Sequence, residues 1–104
     1  MIPVEKVKLI IRKYESLEKE LASGNLDNKD FVKKSKEYAS AGEVIDEAKG
    51  YVNFEQEKEE LLKIVDEKNG DQEMIALAQN ELEELLKKKI ENEKILKIYL
   101  LPKD

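Results

Sequence analysis

Carboxylates are the chemically active side chains that this sequence concentrates in one place. Residues 54–73, the acidic segment, contain eight acidic and three basic residues, and their net charge of −5 equals that of the whole chain. Such a segment is repelled by phosphate and attracted to basic surfaces. It is either a protein-docking surface or a solvated face, and charge alone favours the solvated face. The candidate contact residues are Glu59, Glu60, Asp66 and Glu67.

Other chemistries find little support in the sequence. The chain has no His and no Cys, which excludes zinc sites, cysteine nucleophiles and histidine acid–base catalysis. Residues 66–71 weakly resemble a calcium loop, but Lys68 occupies a ligand position and Leu77 stands where the bidentate Glu belongs. Helix capping explains that stretch better. We therefore predict no catalytic residue, no metal, no cofactor and no small-molecule substrate.

Three successive lysines and three tyrosines could each have either a structural or a binding role. Lys87-Lys88-Lys89 could contact nucleic acid, but three successive helical positions point in three directions, and offsetting nearby acids is favoured. Tyr38 lies on an apolar stripe, so core packing with its hydroxyl at the rim is favoured over binding. Tyr14 and Tyr51 are interpreted in the same way.

The composition is that of a helical domain. The chain has 104 residues, of which 40% are hydrophobic and 41% charged, with four Gly and two Pro. This content suits an all-helical protein with a narrow core. No apolar run approaches the roughly 20 residues that span a bilayer, and the absence of Cys suits a reducing compartment. A cytoplasmic protein is expected.

Three helices are predicted from apolar residues that recur every three or four positions. The first, about residues 3–23, begins at Pro3 and ends at Gly24. The second, about residues 28–68, follows a cap at Asp27 or Asn28 and is expected to kink or break near residues 39–43. The third, about residues 72–99, is capped by Asp71.

The spacing also predicts which side chains are buried. Phe31 and Tyr38 belong to the stripe of the second helix, which shifts beyond Val52, and Leu86 and Ile90 widen the stripe of the third. The residues expected to be largely buried are Val7, Ile10, Tyr14, Leu17, Ile45, Val52, Leu61, Leu82 and Leu85.

Helix lengths determine the expected architecture. At 1.5 Å per residue the three helices span about 30, 60 and 42 Å, and short turns make neighbours antiparallel. The first helix then lies along the first half of the second, and the third returns along its second half. The predicted fold is all-α, an elongated antiparallel three-helix arrangement. The acidic segment forms the end of a protruding two-helix hairpin.

Several motifs resemble those of one protein family. Asp71-Gln72-Glu73-Met74 is followed by Leu77-Ala78, Glu81-Leu82 and the ending Leu100-Leu101-Pro102-Lys103-Asp104, with Ser35-Lys36-Glu37-Tyr38 upstream. From about residue 31 to the end, this pattern resembles the N-terminal domain of bacterial class I peptide chain release factors. The Leu-Pro-Lys-Asp ending resembles the branch that reads UAA and UAG. Gly42-Glu43 departs from the many relatives that carry a proline there.

The resemblance implies a role in translation termination. Family members recognise stop codons and trigger peptidyl-tRNA hydrolysis with a Gly-Gly-Gln loop that does not occur in these residues. The chain over residues 1–104 is then a first domain without catalytic activity of its own. The implied partner is the ribosome, at the stalk base of the large subunit, with protein contacts favoured over RNA. The GTPase release factor and the glutamine methyltransferase are further candidate partners, and no membrane is involved.

A different class of function stays open at this stage. A free-standing helical hairpin could act as a coiled-coil-like adaptor or oligomerisation module. Lys89 and Asn92 interrupt the apolar seam that such an assembly needs over three to four heptads. The coding sequence downstream of Asp104 would discriminate the two, because a Gly-Gly-Gln loop there indicates a release factor.

Overall fold

The computed structural model describes residues 1–102, which form four α-helices and no strand. The helices are α1 (Val4–Ser23), α2 (Asn28–Gly42), α3 (Ile45–Val65) and α4 (Gln72–Tyr99). The predicted all-α class and elongated shape are confirmed. Lys103 and Asp104, which complete the Leu-Pro-Lys-Asp motif, lie outside the described residues.

The helix ends follow the local sequence. Gly24 adopts a left-handed conformation with φ 74° and terminates α1, as glycine does most easily because it lacks a Cβ. The Asp27 side chain accepts a hydrogen bond from the Asp30 N–H at 2.8 Å, and the Asp71 side chain accepts one from the Glu73 N–H at 2.9 Å. Both are N-caps that satisfy an otherwise unpaired donor.

The predicted second helix is two helices, with a break at residues 43–44 rather than a kink. Gly42 weakens the helix locally, and the Val44 N–H donates to the Ala41 carbonyl at 3.1 Å, which keeps the turn hydrogen-bonded. The break lets Ala41, Val44 and Ile45 all become buried. Burial of three apolar side chains therefore compensates for the interrupted helix.

The core lies where α1, α3 and α4 meet. Val7 of α1, Ala48 of α3 and Leu96 of α4 are fully buried in one cluster, with Ile2, Ile10, Val44 and Tyr51 around them. Helix α2 packs mainly on α1, where the Tyr14 and Tyr38 rings stack with centroids 4.6 Å apart. The region around Val44, Ala48 and Leu96 is thus the centre of the fold.

Burial follows the predicted stripes with three exceptions. Of the nine residues expected inside, Val7, Ile10, Leu17 and Ile45 are buried, and the other five are half-buried. The expected burial of Phe31 is wrong, since 47% of the residue is exposed. Lys34, one turn further along α2, already pairs with Glu20 near the end of α1. Little of α1 therefore remains to cover Phe31. Leu86 and Ile90 are also exposed and do not widen the seam.

Helices α3 and α4 form the protruding hairpin. We call residues 54–86 the arm; Phe54 and Ala78 are its buried side chains. The molecule measures 61 × 31 × 19 Å with a radius of gyration of 18.3 Å, against about 13 Å for a compact domain of 100 residues. The two-helix arm therefore accounts for the elongation. We call residues 1–53 and 87–102 the body.

The seam between α3 and α4 accommodates two polar residues. Lys89 and Asn92 occupy seam positions of α4 without breaking the packing. The Lys89 Nζ lies 4.4 Å from the centroid of the Phe54 ring, an attractive cation–π arrangement. Asn92 is accommodated because its partner is a glycine: a Cβ on Gly50 would come within 2.9 Å of the Asn92 Nδ2. The hairpin is thus specified by pairs within the chain.

Candidate docking surface

The four predicted contact residues all lie on the surface of the arm. Glu59 and Glu60 are exposed on α3, Asp66 ends that helix, and Glu67 follows in the turn. Glu60 and Asp66 are six residues apart, about 9 Å along the helix axis. The structure thus gives them access to a partner without gathering them at one point. Their role in a contact stays a prediction.

The arm carries more negative charge than the acidic segment alone. Because α4 folds back along α3, Glu81, Glu83 and Glu84 join the acids of α3 and the turn. The arm then holds eleven acidic and three basic residues, a net charge of −8, so the remaining 71 residues of the 104 carry +3. Sequence reasoning missed these three acids, although no basic residue occurs between Lys68 and Lys87. The chain is electrostatically polarised along its length.

Few of the charges on the arm are paired within the described residues. Among residues 1–102, two ion pairs involve arm carboxylates. Lys58 pairs with Glu55 at 3.2 Å within α3, and Lys87 pairs with Glu84 at 3.9 Å within α4. Exposed pairs of this kind contribute at most about 1 kcal/mol each. Most of the arm carboxylates therefore remain available to an external cationic partner.

The three successive lysines lie in three different surroundings. Lys87 pairs with Glu84, Lys88 lines a groove between α3 and α4, and Lys89 lies over Phe54. Their side chains point in three directions, as the helical spacing predicts. The interpretation that they offset the acids of the arm is the better supported one.

One flank of the arm is concave. The groove between α3 and α4 has a volume of about 500 Å³, and Leu61, Leu77 and Leu85 supply its apolar surface. Glu57, Glu81 and Glu84 line the same groove. The predicted residues Glu59, Glu60, Asp66 and Glu67 are not among its lining residues. Sequence reasoning did not find the groove, because its two sides come from helices paired by tertiary structure.

The tyrosines hold helices together. The Tyr38 hydroxyl donates to Glu18 Oε2 at 2.8 Å and lies 3.1 Å from the Tyr14 hydroxyl. Hydrogen bonding to Tyr14 and then to Glu18 raises the pKa of Tyr38 above its ordinary value, because both partners favour the protonated phenol. This arrangement joins α1 to α2 and agrees with the predicted packing role.

Tyr51 differs from the expectation that its hydroxyl reaches the rim. The residue is buried, its hydroxyl donates to the Ile2 carbonyl at 2.7 Å, and the Ile2 N–H donates to that hydroxyl at 3.2 Å. The Tyr51 side chain thus joins α3 to the backbone segment that precedes α1. Buried polar groups require such partners, and Ile2 was too distant in sequence to be anticipated.

Neither a metal centre nor a membrane span is found in the part of the chain that the structure describes. Within residues 1–102, no three acidic side chains converge as metal ligands. In the same residues, no helix combines the length and the apolar character needed to cross a bilayer. Asp71, at the end of the weak calcium-like stretch, serves as an N-cap.

Comparison with known proteins gives a consistent set of relatives. The sequence profile of the PCRF domain matches residues 10–104. Peptide chain release factor 1 from Pelagibacter ubique (strain HTCC1062) is 48% identical over 107 residues, covering 100% of this chain and 29% of that protein. The protein of that name from Rickettsia canadensis is 38% identical over 95 residues, with 91% and 26% covered. The one from Bartonella tribocorum is 36% identical over 103 residues, with 99% and 28% covered.

These matches concern one part of longer proteins. The chain spans less than a third of the length of these curated relatives. No solved structure gives a significant match.

Proposed function

We propose that this chain, which belongs to the PCRF domain family, serves as the N-terminal docking domain of a release factor that terminates translation at UAA and UAG. The full-length relatives named peptide chain release factor 1 support the assignment to termination. Codon reading and peptidyl-tRNA hydrolysis then belong to other parts of the factor. This domain contributes position and affinity on the cytoplasmic ribosome.

The observation that carries the docking role is the charge polarity of the molecule. The arm has a net charge of −8, and it projects from a body of opposite sign. A surface of this kind is repelled by bare ribosomal RNA and attracted to basic protein. We therefore place its contact at ribosomal proteins of the stalk base. The GTPase release factor and the glutamine methyltransferase are further candidate partners.

The seam of the hairpin supports this function over the adaptor alternative. An oligomerisation module needs an apolar stripe free to pair with a second copy. Here the stripe of α4 already packs on α3, and its polar positions Lys89 and Asn92 match Phe54 and Gly50 of the same chain. The coiled-coil pairing is thus used within the chain, and the charged outer surface is left for partners.

Charge reversal in the intact factor tests the docking role. Replacing Glu59, Glu60, Asp66 and Glu67 by Lys brings the formal charge of the arm from −8 to zero. We expect the association rate with terminating ribosomes to fall at least about threefold at low salt. The difference should shrink as salt rises, because exposed charges act mainly on the on-rate and are screened. Rapid-mixing kinetics at two salt concentrations measure both effects.

The control reverses four exposed acids of the body: Glu15, Glu43, Asp46 and Glu91. It changes the net charge of the factor by the same amount but leaves the arm unchanged. Both variants should fold, since surface substitutions usually change stability by less than about 0.5 kcal/mol each. Equal effects of the two variants, or an unchanged on-rate for the arm variant at low salt, would show that the arm is only a solvated face.

A further inference from the structure

The groove on the arm combines an exposed apolar surface with acidic edges. Its apolar surface includes Leu77, which is 59% exposed although it lies on a helix with a well-packed seam. Its edges carry Glu57 of α3 and both Glu81 and Glu84 of α4. Apolar side chains flanked by carboxylates are complementary to a surface with the opposite arrangement.

The groove has the dimensions of a helix-binding site. Its α4 side runs from Leu77 to Lys88, twelve residues whose eleven steps span about 16 Å. Three turns of a partner helix cover that distance. Amphipathic helices bind such grooves through apolar residues at positions i, i+3 or i+4, and i+7.

We propose that this groove binds one amphipathic helix of a partner protein, with apolar residues against Leu61, Leu77 and Leu85 and Lys or Arg against the glutamates. The inference rests on the proposed docking role and specifies the chemistry of the partner. Phosphate-rich partners do not fit, because the groove glutamates would repel them. The exposed Lys88 lies at one end, so an acidic residue near the matching end of the partner helix sets its direction.

A peptide probe tests the groove by itself. The probe is a helical peptide of about fourteen Leu and Lys residues, about 21 Å long, with its leucines on one face. A permuted peptide has the same composition but no apolar face. The one-face peptide should bind this chain at least about tenfold more tightly, because burying one Leu is worth about 1.5–3 kcal/mol. Equal affinities for the two peptides would overturn the proposal.

Two matched variants locate the binding. Leu77 and Ile90 lie on the same helix and are 59% and 58% exposed, but Ile90 does not line the groove. Leu77→Ser should weaken binding of the one-face peptide at least about tenfold, while Ile90→Ser should change it less than about twofold. Equal losses for the two variants would place the peptide elsewhere. Circular dichroism of both variants checks that the helices remain.

The peptide titration and the ribosome kinetics fail separately. If the one-face peptide binds through Leu77 and charge reversal of the arm leaves ribosome association unchanged, the groove is confirmed and the docking role is wrong. If charge reversal slows association and Leu77→Ser binds the peptide as the unmodified chain does, the docking role stands and the groove proposal is wrong. Each proposal therefore has its own deciding measurement.

Discussion

Replacing Phe54 by alanine is expected to lower the free energy that keeps the arm closed by about 3–5 kcal/mol. Phe54 is 4% exposed and is one of two buried side chains in the arm. The Nζ atoms of Lys89 and Lys58 lie 4.4 and 5.5 Å from its ring centroid, so the substitution removes both the buried area and the cation–π contacts. Native-state hydrogen exchange should show amides of the arm losing protection while those near Ile45 keep theirs.

Phe31→Ala is the matched control for that loss. It removes the same side chain, but Phe31 is 47% exposed, so the expected cost is below about 1 kcal/mol. If Phe54→Ala costs no more than the control, the arm is not held by this residue. If amides near Ile45 lose as much protection as those of the arm, the arm and the body unfold as one unit.

Leu96→Ala should destabilise the whole domain by about 2–5 kcal/mol. Leu96 is fully buried where α1, α3 and α4 meet, in one cluster with Val7 and Ala48. Truncation leaves a cavity among helices that cannot collapse independently. Urea denaturation measures the change as a lower midpoint.

The comparison for Leu96 lies two residues away on the same helix. Ile98 is 70% exposed, so Ile98→Ala should change stability by less than about 0.5 kcal/mol. Equal midpoints for the two variants would mean that the three-helix junction is not the core of the domain.

Local physics predicted where α1 ends and where α4 begins. Gly24 and Asp71 act at those positions through backbone geometry and a single side-chain hydrogen bond, which depend on few neighbours. The sequence also predicted that the buried face of the second helix shifts beyond Val52, because the spacing of apolar residues indicates which side of a helix is covered. Short turns then required antiparallel neighbours.

Features that depend on two elements at once could not be predicted. Whether the helix near Gly42 kinks or breaks depends on the burial of Val44 and Ile45 by other helices. Phe31 was wrongly expected to be buried, because its place on the stripe does not reveal that α1 ends before covering it. In the sequence, Lys89 interrupts the apolar pattern of α4. Its contact with the Phe54 ring depends on the pairing of α3 with α4, which the pattern of one helix does not contain.

The sequence predicted one part of the candidate docking surface, the exposed acids, but not the groove. Exposure of Glu59, Glu60, Asp66 and Glu67 followed from their place off the apolar stripe. The groove could not be predicted from the sequence. Leu61 and Leu77 are sixteen positions apart, and they line the same groove only because α3 pairs with α4. The contribution of Glu81 and its neighbours to the charge of the arm required the same pairing.

Site-specific crosslinking from the arm tests the docking role most directly. A photoreactive amino acid would replace Glu60 in the intact factor bound to terminating ribosomes, and Glu15 of the body would be replaced for comparison; both positions are exposed. We expect the Glu60 position to crosslink to a basic ribosomal protein and the Glu15 position to leave that protein unlabelled. Crosslinks from the Glu60 position to ribosomal RNA alone, or the same products from both positions, would contradict the assignment of the arm as a protein-docking surface.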